Sequence, residues 1–460
     1  MHQQQGDQKV FPLTEGALTA KKTNTRWVVV FVLFFITLIN YADRATISLA
    51  GPSMANELGL SPVDMGFIFS AFGWAYVIFQ LPGGWLLDRF GSKKIYAFSI
   101  FFWSLFTLMT GLAGFVTGAA AVAVLFVLRF LVGGSEAPSF PANSRIVAAW
   151  FPAAERGTAA AIFNSAQYGS TVFFAPLMGW LIHSYGWHAA FTVMGLLGIA
   201  FLPVWKKWIH NPKDHPKVND AELEYMTSGG ALVDMDGGGR ADQKGPHLGY
   251  LKQLLTSRMM LGIYLAQYCL NAIGFFFITW FPVYLVQEKH MNIMKAGMVA
   301  AVPAICGFLG GLLGGFVSDL LIKRGTSVSV ARKIPIVSGM VLCTVMVLCN
   351  YTSSESAVVF IMALSFLGKG IGGMGWTVNA DTAPSQISGL SGSVLNTFSN
   401  ASSITTPIAI GFILQATHSF NGVLLFVVAH AVVVVLCYLF MVGKIQRFQL
   451  KEIPPEQDAR

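Results

Sequence analysis

Apolar stretches recur along most of this chain, separated by short polar segments. Each is about 20 residues long, the length that an α-helix needs to cross a hydrocarbon core of about 30 Å. In the first half they cover residues 27–50, 65–87, 95–115, 120–143, 158–181 and 187–207. In the second half they cover residues 258–286, 296–321, 333–351, 357–380, 389–415 and 421–443. The pattern predicts an all-α membrane protein with about twelve transmembrane helices.

One long hydrophilic stretch, rich in Pro, Gly and charge, divides these helices six and six. We interpret it as a cytoplasmic linker; a ligand-sensing loop is the alternative. The predicted organisation is an N-terminal tail over 1–26, a six-helix bundle over 27–207, the linker over 208–257, a second six-helix bundle over 258–443 and a C-terminal tail over 444–460.

A short repeat supports the division into halves. The second predicted helix ends in GGWLLD at residues 83–88, and the eighth ends in GGFVSD at residues 314–319, each followed by basic residues. Two bundles related by an axis along the membrane normal are the expected architecture of such a repeat.

Lys and Arg residues predict the orientation, because they collect in cytoplasmic loops of membrane proteins. They cluster before the first helix and in the connections after the second, fourth and eighth helices. The clustered residues are Lys21, Lys22, Arg26, Lys93, Lys94, Arg145, Arg156, Lys323 and Arg324. We therefore expect a multi-pass protein of the cell inner membrane with both termini in the cytoplasm.

Composition narrows the function classes. The chain is 54% hydrophobic and 11% charged, and its net charge of +8 is explained by the basic loops, so we expect no nucleic-acid partner. The five cysteines lie in apolar segments without metal-ligand spacing, so we expect no metal and no cofactor. A membrane enzyme is the alternative class, but no catalytic triad, metal motif or phosphate loop supports it.

Four charges fall inside the predicted helices: Asp43, Arg44, Arg129 and Glu136. Each costs about 2.5–3.5 kcal/mol near the centre of a bilayer, so each requires a function or a partner. Counting residues from the helix ends places Asp43, Arg44 and Arg129 at similar depth, with Glu136 two turns along from Arg129. We expect the four to line one cavity. The alternative is a set of buried salt bridges that holds the first and fourth helices together.

The types of these residues suit anion capture coupled to protons. Arg presents a planar fork that fits a carboxylate, and a buried carboxylate can load and release a proton. The second half has one comparable charge, Lys369, with Trp376 seven residues later and Asn379 and Asn396 nearby. Lys369 could meet a second carboxylate of the substrate, or it could be a snorkelling or backbone-bonded lysine.

Several segments resemble one known family. The loop GGWLLDRFGSKK (83–94) is similar to the signature loop of the major facilitator superfamily. NYADRAT (40–46), GGSEAPSFPANSRIVAAWFP (133–152) and ITWFPVYLVQEK (278–289) resemble its anion:cation symporter family. FNSAQY (163–168), SRMMLGIY (257–264) and GKGIGGMGW (368–376) resemble the bacterial glucarate and galactarate transporters within that family.

The resemblance implies roles for individual residues. It assigns Asp43 and Glu136 to proton coupling and Arg44 and Arg129 to the substrate. Further substrate positions are Tyr41, Tyr76, Gln167, Trp376 and Asn396. Lys369 and Asn379 are added from the residue analysis, as are Asp88, Arg89 and Asp319 as gating residues.

The expected function is import of a sugar diacid such as glucarate or galactarate. We expect proton symport with alternating access, the proton gradient as the energy source, and a monomer in the lipid bilayer. The alternatives on the same fold are transport of a hexonate or hexuronate and anion exchange. Two arginines and a lysine argue against export of cationic drugs.

Overall fold

The computed structural model describes residues 22–234, 248–384 and 387–451, and twelve long helices dominate it. In chain order they are α1 Thr25–Leu58, α2 Pro62–Phe90, α3 Ser92–Phe115, α4 Gly118–Trp150, α5 Arg156–Tyr185, α6 Trp187–Trp208, α7 Arg258–Gln287, α8 Ile293–Lys323, α9 Val328–Tyr351, α10 Glu355–Thr382, α11 Ser388–Thr417 and α12 Asn421–Met441. Ten are long and apolar enough to cross a membrane, whereas α5 and α11 are more polar. The predicted helical membrane fold is confirmed.

Local sequence explains why the helices end where they do. Helix α1 runs to Leu58, past the predicted residue 50, and stops where Gly59 adopts a left-handed backbone with φ 68°. Ser61 then starts α2 with a capping box, since its hydroxyl accepts from the Asp64 amide and the Asp64 carboxylate accepts from the Ser61 amide. A turn of three residues therefore reverses the chain.

Two equivalent helices are interrupted in mid-span, one in each half. Helix α4 breaks at residues 137–138 and α10 at residues 372–374. The first glycine of each repeated segment packs against the broken helix. A Cβ at Gly83 would lie 3.0 Å from the Pro138 ring, and one at Gly314 would lie 2.3 Å from the Ile371 carbonyl oxygen. The repeated segment thus provides the same close helix packing in both halves.

The two halves meet at one end of the molecule, the end that carries the α1–α2, α5–α6, α7–α8 and α11–α12 connections. We call this end the hairpin face. Here α5 and α8 touch through glycine, because a Cβ at Gly297 would lie 2.5 Å from the Ala175 carbonyl oxygen. Likewise, a Cβ at Gly66 of α2 would lie 2.8 Å from the Pro407 carbonyl oxygen of α11. Backbone contact of this closeness seals the hairpin face.

The halves separate toward the other end, which we call the terminal face because α1 begins there and α12 ends there. Leu81 in the terminal portion of α2 is 81% exposed. Cβ atoms at Gly311 of α8 and Gly389 of α11 would meet no atom within 4 Å. The molecule is therefore open at the terminal face and closed at the hairpin face.

Residues 208–234 of the predicted linker are attached to the first half, whereas its helix Leu248–Thr256 contacts the second half through Gln253 and Lys451. The linker helix Asp220–Ser228 carries Glu222, which is fully buried and accepts hydrogen bonds from the first backbone amides of α1, those of Thr25 and Arg26. The Glu222 carboxylate also lies 3.0 Å from the Arg26 guanidinium. A carboxylate at this position stabilises the start of a helix. Residues 235–247 of the linker lie outside the described residues, as do most of the two predicted tails.

We predict that Gly297→Leu shifts the molecule toward the state that is open at the hairpin face. The larger side chain cannot fit against Ala175, and overpacking of this kind typically costs about 1–3 kcal/mol. Spin labels can be placed at Leu81 and Ser393, on the terminal portions of α2 and α11. Double electron–electron resonance should then report a shorter distance between the two labels. The matched control is Gly311→Leu on the same helix, where a side chain meets open space. An equal response of both variants would contradict the prediction.

Candidate functional site

Arg44 joins α1 to α4 at the centre of the first half. Its Nε donates to the Glu136 carboxylate over 2.8 Å, and Glu136 is fully buried while the Arg44 side chain keeps 20% of its surface exposed. The guanidinium lies over three aromatic rings, 4.7 Å from the centre of Tyr41, 4.5 Å from Phe72 and 5.2 Å from Tyr76. Cation–π contacts hold this charge in place while leaving its outer edge free to meet an anion.

Asp43 and Arg129 form the second link between α1 and α4. The Arg129 Nη1 lies 3.9 Å from the Asp43 carboxylate, and both side chains are 2% exposed. The other oxygen of Asp43 accepts a hydrogen bond from the Thr107 hydroxyl of α3. The four charges thus pair crosswise between α1 and α4, as the salt-bridge alternative predicts, and the two arginines also face the cavity described next.

Two adjoining cavities of about 570 and 100 Å³ lie between the halves. Both are lined by Tyr41, Arg44, Gln167 and Lys369. The larger cavity also contacts Tyr76, Arg129, Trp376 and Asn396. Neither Asp43 nor Glu136 lines either cavity, so the expectation that all four charges line one cavity holds only for the arginines. The carboxylates lie behind them because each one faces its partner across α1 and α4.

Lys369 brings a positive charge to the cavity from the second half. Its ammonium lies 5.2 Å from the centre of the Phe366 ring and pairs with no carboxylate among residues 22–234, 248–384 and 387–451. Trp376, beyond the break in α10, is half exposed at the cavity rim. Asn396 accepts from the Asn400 amide over 3.0 Å, so these two residues of α11 present linked amides to the cavity.

Asn379 lies elsewhere. It is 5% exposed, absent from the lining of both cavities, and accepts from the Ser391 hydroxyl over 2.7 Å. Ser391 in turn lies 3.0 Å from the Tyr264 hydroxyl. The structure therefore places Asn379 in a packing network between α7, α10 and α11 instead of beside either cavity.

The three predicted gating residues lie at the terminal face. Asp88 pairs with Arg145 of α4. The Arg89 guanidinium lies 5.2 Å from the centre of the Trp85 ring. Asp319 lies 3.2 Å from Arg332, which also holds Asp381 at 2.9 Å. Both aspartates of the repeat therefore bind an arginine of their own half in this open state.

Other polar residues at the site escaped the sequence analysis. Thr107 of α3 binds Asp43, and it lies one turn beyond Ser104 on a helix whose small hydroxyl residues recur at helical spacing. That spacing was the feature of the sequence that could have identified Thr107. Further cavity-lining amides and hydroxyls are Asn164, Asn271, Thr279, Ser399, Asn400 and Ser403. No cluster of His, Cys, Asp and Glu that could hold a metal is present in the ranges that the structure describes.

Comparison with known proteins shows the family of this chain. The sequence profile of the Major Facilitator Superfamily matches residues 33–382. The probable galactarate/D-glucarate transporter of Bacillus subtilis (strain 168) is 58% identical over 438 residues, which cover 95% of this chain and 96% of that protein. The protein of the same name from Escherichia coli (strain K12) is 58% identical over 436 residues, 94% of this chain and 97% of its own. The resemblance drawn from the sequence segments is confirmed.

A solved structure with the same fold is that of a bacterial homologue of the human lysosomal transporter Spinster, in an inward-facing and occupied conformation. It superposes with a TM-score of 0.69 at 16% identity, covering 92% of this chain and 97% of that chain. At this identity the likeness concerns the fold alone.

The buried pair Asp43–Arg129 generates a stability prediction. Asp43→Asn leaves the Arg129 charge buried without a counter-charge, and breaking a buried pair from one side costs about 3–5 kcal/mol. The double variant Asp43→Asn with Arg129→Gln removes both charges and should recover most of the loss. Thermal unfolding of the purified proteins measures the stability of the two single variants and of the double variant. If the double variant is as unstable as the sum of the two single variants, the pair is not coupled as the geometry indicates.

Proposed function

Because this chain belongs to the Major Facilitator Superfamily, whose members are membrane transporters and not enzymes, we propose that it imports a sugar diacid of the galactarate or glucarate type by proton symport. The names of its relatives support the substrate class. The observation that carries the proposal is the distribution of positive charge in the cavity. Arg44 and Arg129 face it from the first half and Lys369 from the second.

This arrangement suits a substrate with a carboxylate at each end. Arg44 can offer its free edge to one carboxylate, while the ammonium of Lys369 is a compact charge with three donors for the other. The amides of Gln167, Asn396 and Asn400 line the space between and can bind the hydroxyl groups of a sugar acid. A substrate of this shape neutralises charge in both halves at once, and this favours their closure around it.

Proton coupling follows from competition for the arginines. When a substrate carboxylate binds Arg44, the attraction between Arg44 and Glu136 weakens, and a buried carboxylate without its counter-charge is stabilised by a proton. Asp43 likewise depends on Arg129 for its counter-charge. Binding of the anion and binding of the proton then reinforce each other, as symport requires.

The terminal face is the cytoplasmic side in this proposal, and both termini lie in the cytoplasm of a cell whose inner membrane the protein spans. The basic residues at that face support this orientation, because positive residues remain in the cytoplasm during membrane insertion. The open state described above then faces inward. A monomer contains the whole cavity, so we propose that the monomer is the transporting unit.

Coupling can be tested in proteoliposomes by comparing galactarate uptake driven by a proton gradient with galactarate counterflow at equal pH. We expect Glu136→Gln to lose uphill uptake and to retain counterflow, since exchange of bound substrate needs no release of the proton. Asp43→Asn should behave in the same way when counterflow is normalised to folded protein. Arg44→Ala and Arg129→Ala should lose both activities because they lose the substrate carboxylate. Gradient-driven uptake by both acid variants would disprove the assigned roles.

Lys369 generates a separate prediction about substrate choice. A charge-assisted hydrogen bond is worth about 1.5–3 kcal/mol, so Lys369→Gln should weaken competition by galactarate roughly ten- to a hundredfold. Competition by galactonate, which has one carboxylate, should change much less. Competition assays in membrane vesicles measure both, with Asn379→Ala as a control outside the cavity. If the Lys369 variant keeps its preference for the diacid, the second carboxylate binds elsewhere.

A further inference from the structure

Glu136 is sealed from the substrate cavity although that cavity is open at the terminal face. The carboxylate is fully buried, and one oxygen binds Arg44 while the other has no hydrogen-bond partner among the described residues. Arg44, held among the rings of Tyr41, Phe72 and Tyr76, stands between Glu136 and the cavity. A proton released by Glu136 therefore has no direct way into the cavity in this state.

A second set of buried polar groups begins on the other side of Glu136. The hydroxyl of Ser139 and the amide oxygen of Asn143, both on α4, are buried and without hydrogen-bond partners in the described structure. The Asn143 amide donates to the Thr37 hydroxyl of α1 over 3.0 Å. The Tyr96 hydroxyl of α3 lies next to Thr37 and Asn143, yet it too forms no hydrogen bond of ordinary geometry with a described residue. We call Thr37, Tyr96, Ser139 and Asn143 the polar seam.

The polar seam leads away from the ion pairs toward the terminal face. Ser139 and Asn143 follow Glu136 by three and seven residues, which places Asn143 about 10 Å along α4. Tyr96 lies in the first two turns of α3, one turn beyond Ser92. The seam therefore lies between the buried carboxylate and the terminal end of the first half.

The terminal end of the seam lies beneath the signature loop. Ser92 accepts a hydrogen bond from the Arg145 guanidinium over 3.3 Å, and Arg145 pairs with Asp88, which is largely exposed. The centre of the Trp205 ring lies 4.4 Å from the centre of the Tyr96 ring, in an edge-to-face arrangement. This end of the seam therefore lies close to the exposed polar surface of the terminal face.

Burying a polar atom without a hydrogen-bond partner is unfavourable. Proteins commonly satisfy such atoms with internal water, which needs two to four polar neighbours. The groups of the polar seam provide such neighbours in succession, and the carboxylate oxygen of Glu136 provides the first. Hydroxyl groups and water both donate and accept, so a chain of them can pass a proton along.

We propose that the polar seam carries the coupling proton between Glu136 and the terminal face, by a route separate from the substrate cavity. The inference rests on the proposed function, in which Glu136 is the proton site. In the inward-open state the Glu136 carboxyl gives its proton to water in the seam. The proton leaves at the terminal face near Asp88, and Glu136 remains as a carboxylate paired with Arg44. Tyr96, Ser139 and Asn143 orient the water without contacting the substrate.

The test compares Tyr96→Phe and Asn143→Leu with the unchanged protein in proteoliposomes. Both variants keep the size of the side chain and remove its polar atoms. Uptake of galactarate driven by a proton gradient should fall roughly tenfold or more, the change expected when about 1.4 kcal/mol is added to the barrier of the limiting step. Counterflow of galactarate at equal pH should stay within about twofold, since it needs no proton release. A larger solvent deuterium isotope effect on gradient-driven uptake is also expected.

The matched control is Ser104→Ala. Its hydroxyl is also buried on α3 and unpartnered among the described residues, but it lies against Gly198 of α6, outside the seam. Gradient-driven uptake should be unchanged in this variant. If Tyr96→Phe and Asn143→Leu both keep full gradient-driven uptake while Glu136→Gln loses it, the seam proposal is wrong and the proposed function stands. If the unchanged protein shows no gradient-driven uptake, the proposed function itself fails. Should Asn143→Leu lose counterflow through misfolding, the smaller change Tyr96→Phe decides.

Discussion

The cost of holding charge in a hydrocarbon environment governs the first half of this transporter. Asp43 and Arg44 of α1 and Arg129 and Glu136 of α4 satisfy that cost by pairing crosswise. Each pair ties the same two helices together, so neither helix can slide along the other without separating opposite charges. The result is a tightly paired unit in which Arg44 keeps 20% of its side-chain surface exposed. In the proposed mechanism an arriving anion competes with Glu136 for the same guanidinium.

Much of this could be predicted from the sequence because the signals were strong. Twenty-residue apolar stretches and charges inside them have few interpretations, and the segment resemblances located the family. The pairing of the charges was less accessible. Neighbours on a helix point about 100° apart, but adjacent residues such as Arg44 and Ala45 still line one cavity. The side toward which Asp43 turns depends on its contacts with Thr107 and Arg129, which are set by tertiary packing. The place of Asn379 could not be predicted, since it depends on Ser391, whose approach is set by tertiary packing.

The two halves each contain a broken helix, but the charged residue before the break has different surroundings in each half. Helices α4 and α10 both break in mid-span against a glycine of the repeated segment, and a charged residue precedes each break. In α4 that residue is Glu136, whose charge is paired with Arg44 of its own half. In α10 it is Lys369, which pairs with no carboxylate in the described ranges. The first half therefore pairs its buried charges with one another, and the second presents to the cavity a charge that has no carboxylate partner among the described residues.

The polarity of α5 and α11 has a consequence for how the protein is made. Both carry side chains that line the cavity, such as Gln167 and Asn396, and both lack the apolar character of the other ten helices. A segment enters the bilayer from the translocon according to its own apolar character, so these two helices are poor candidates for independent insertion. The cavity that these side chains line lies between the halves, so each polar face is shielded from lipid when the two halves come together. The residues that line the cavity therefore link the stable insertion of α5 and α11 to the assembly of the two halves.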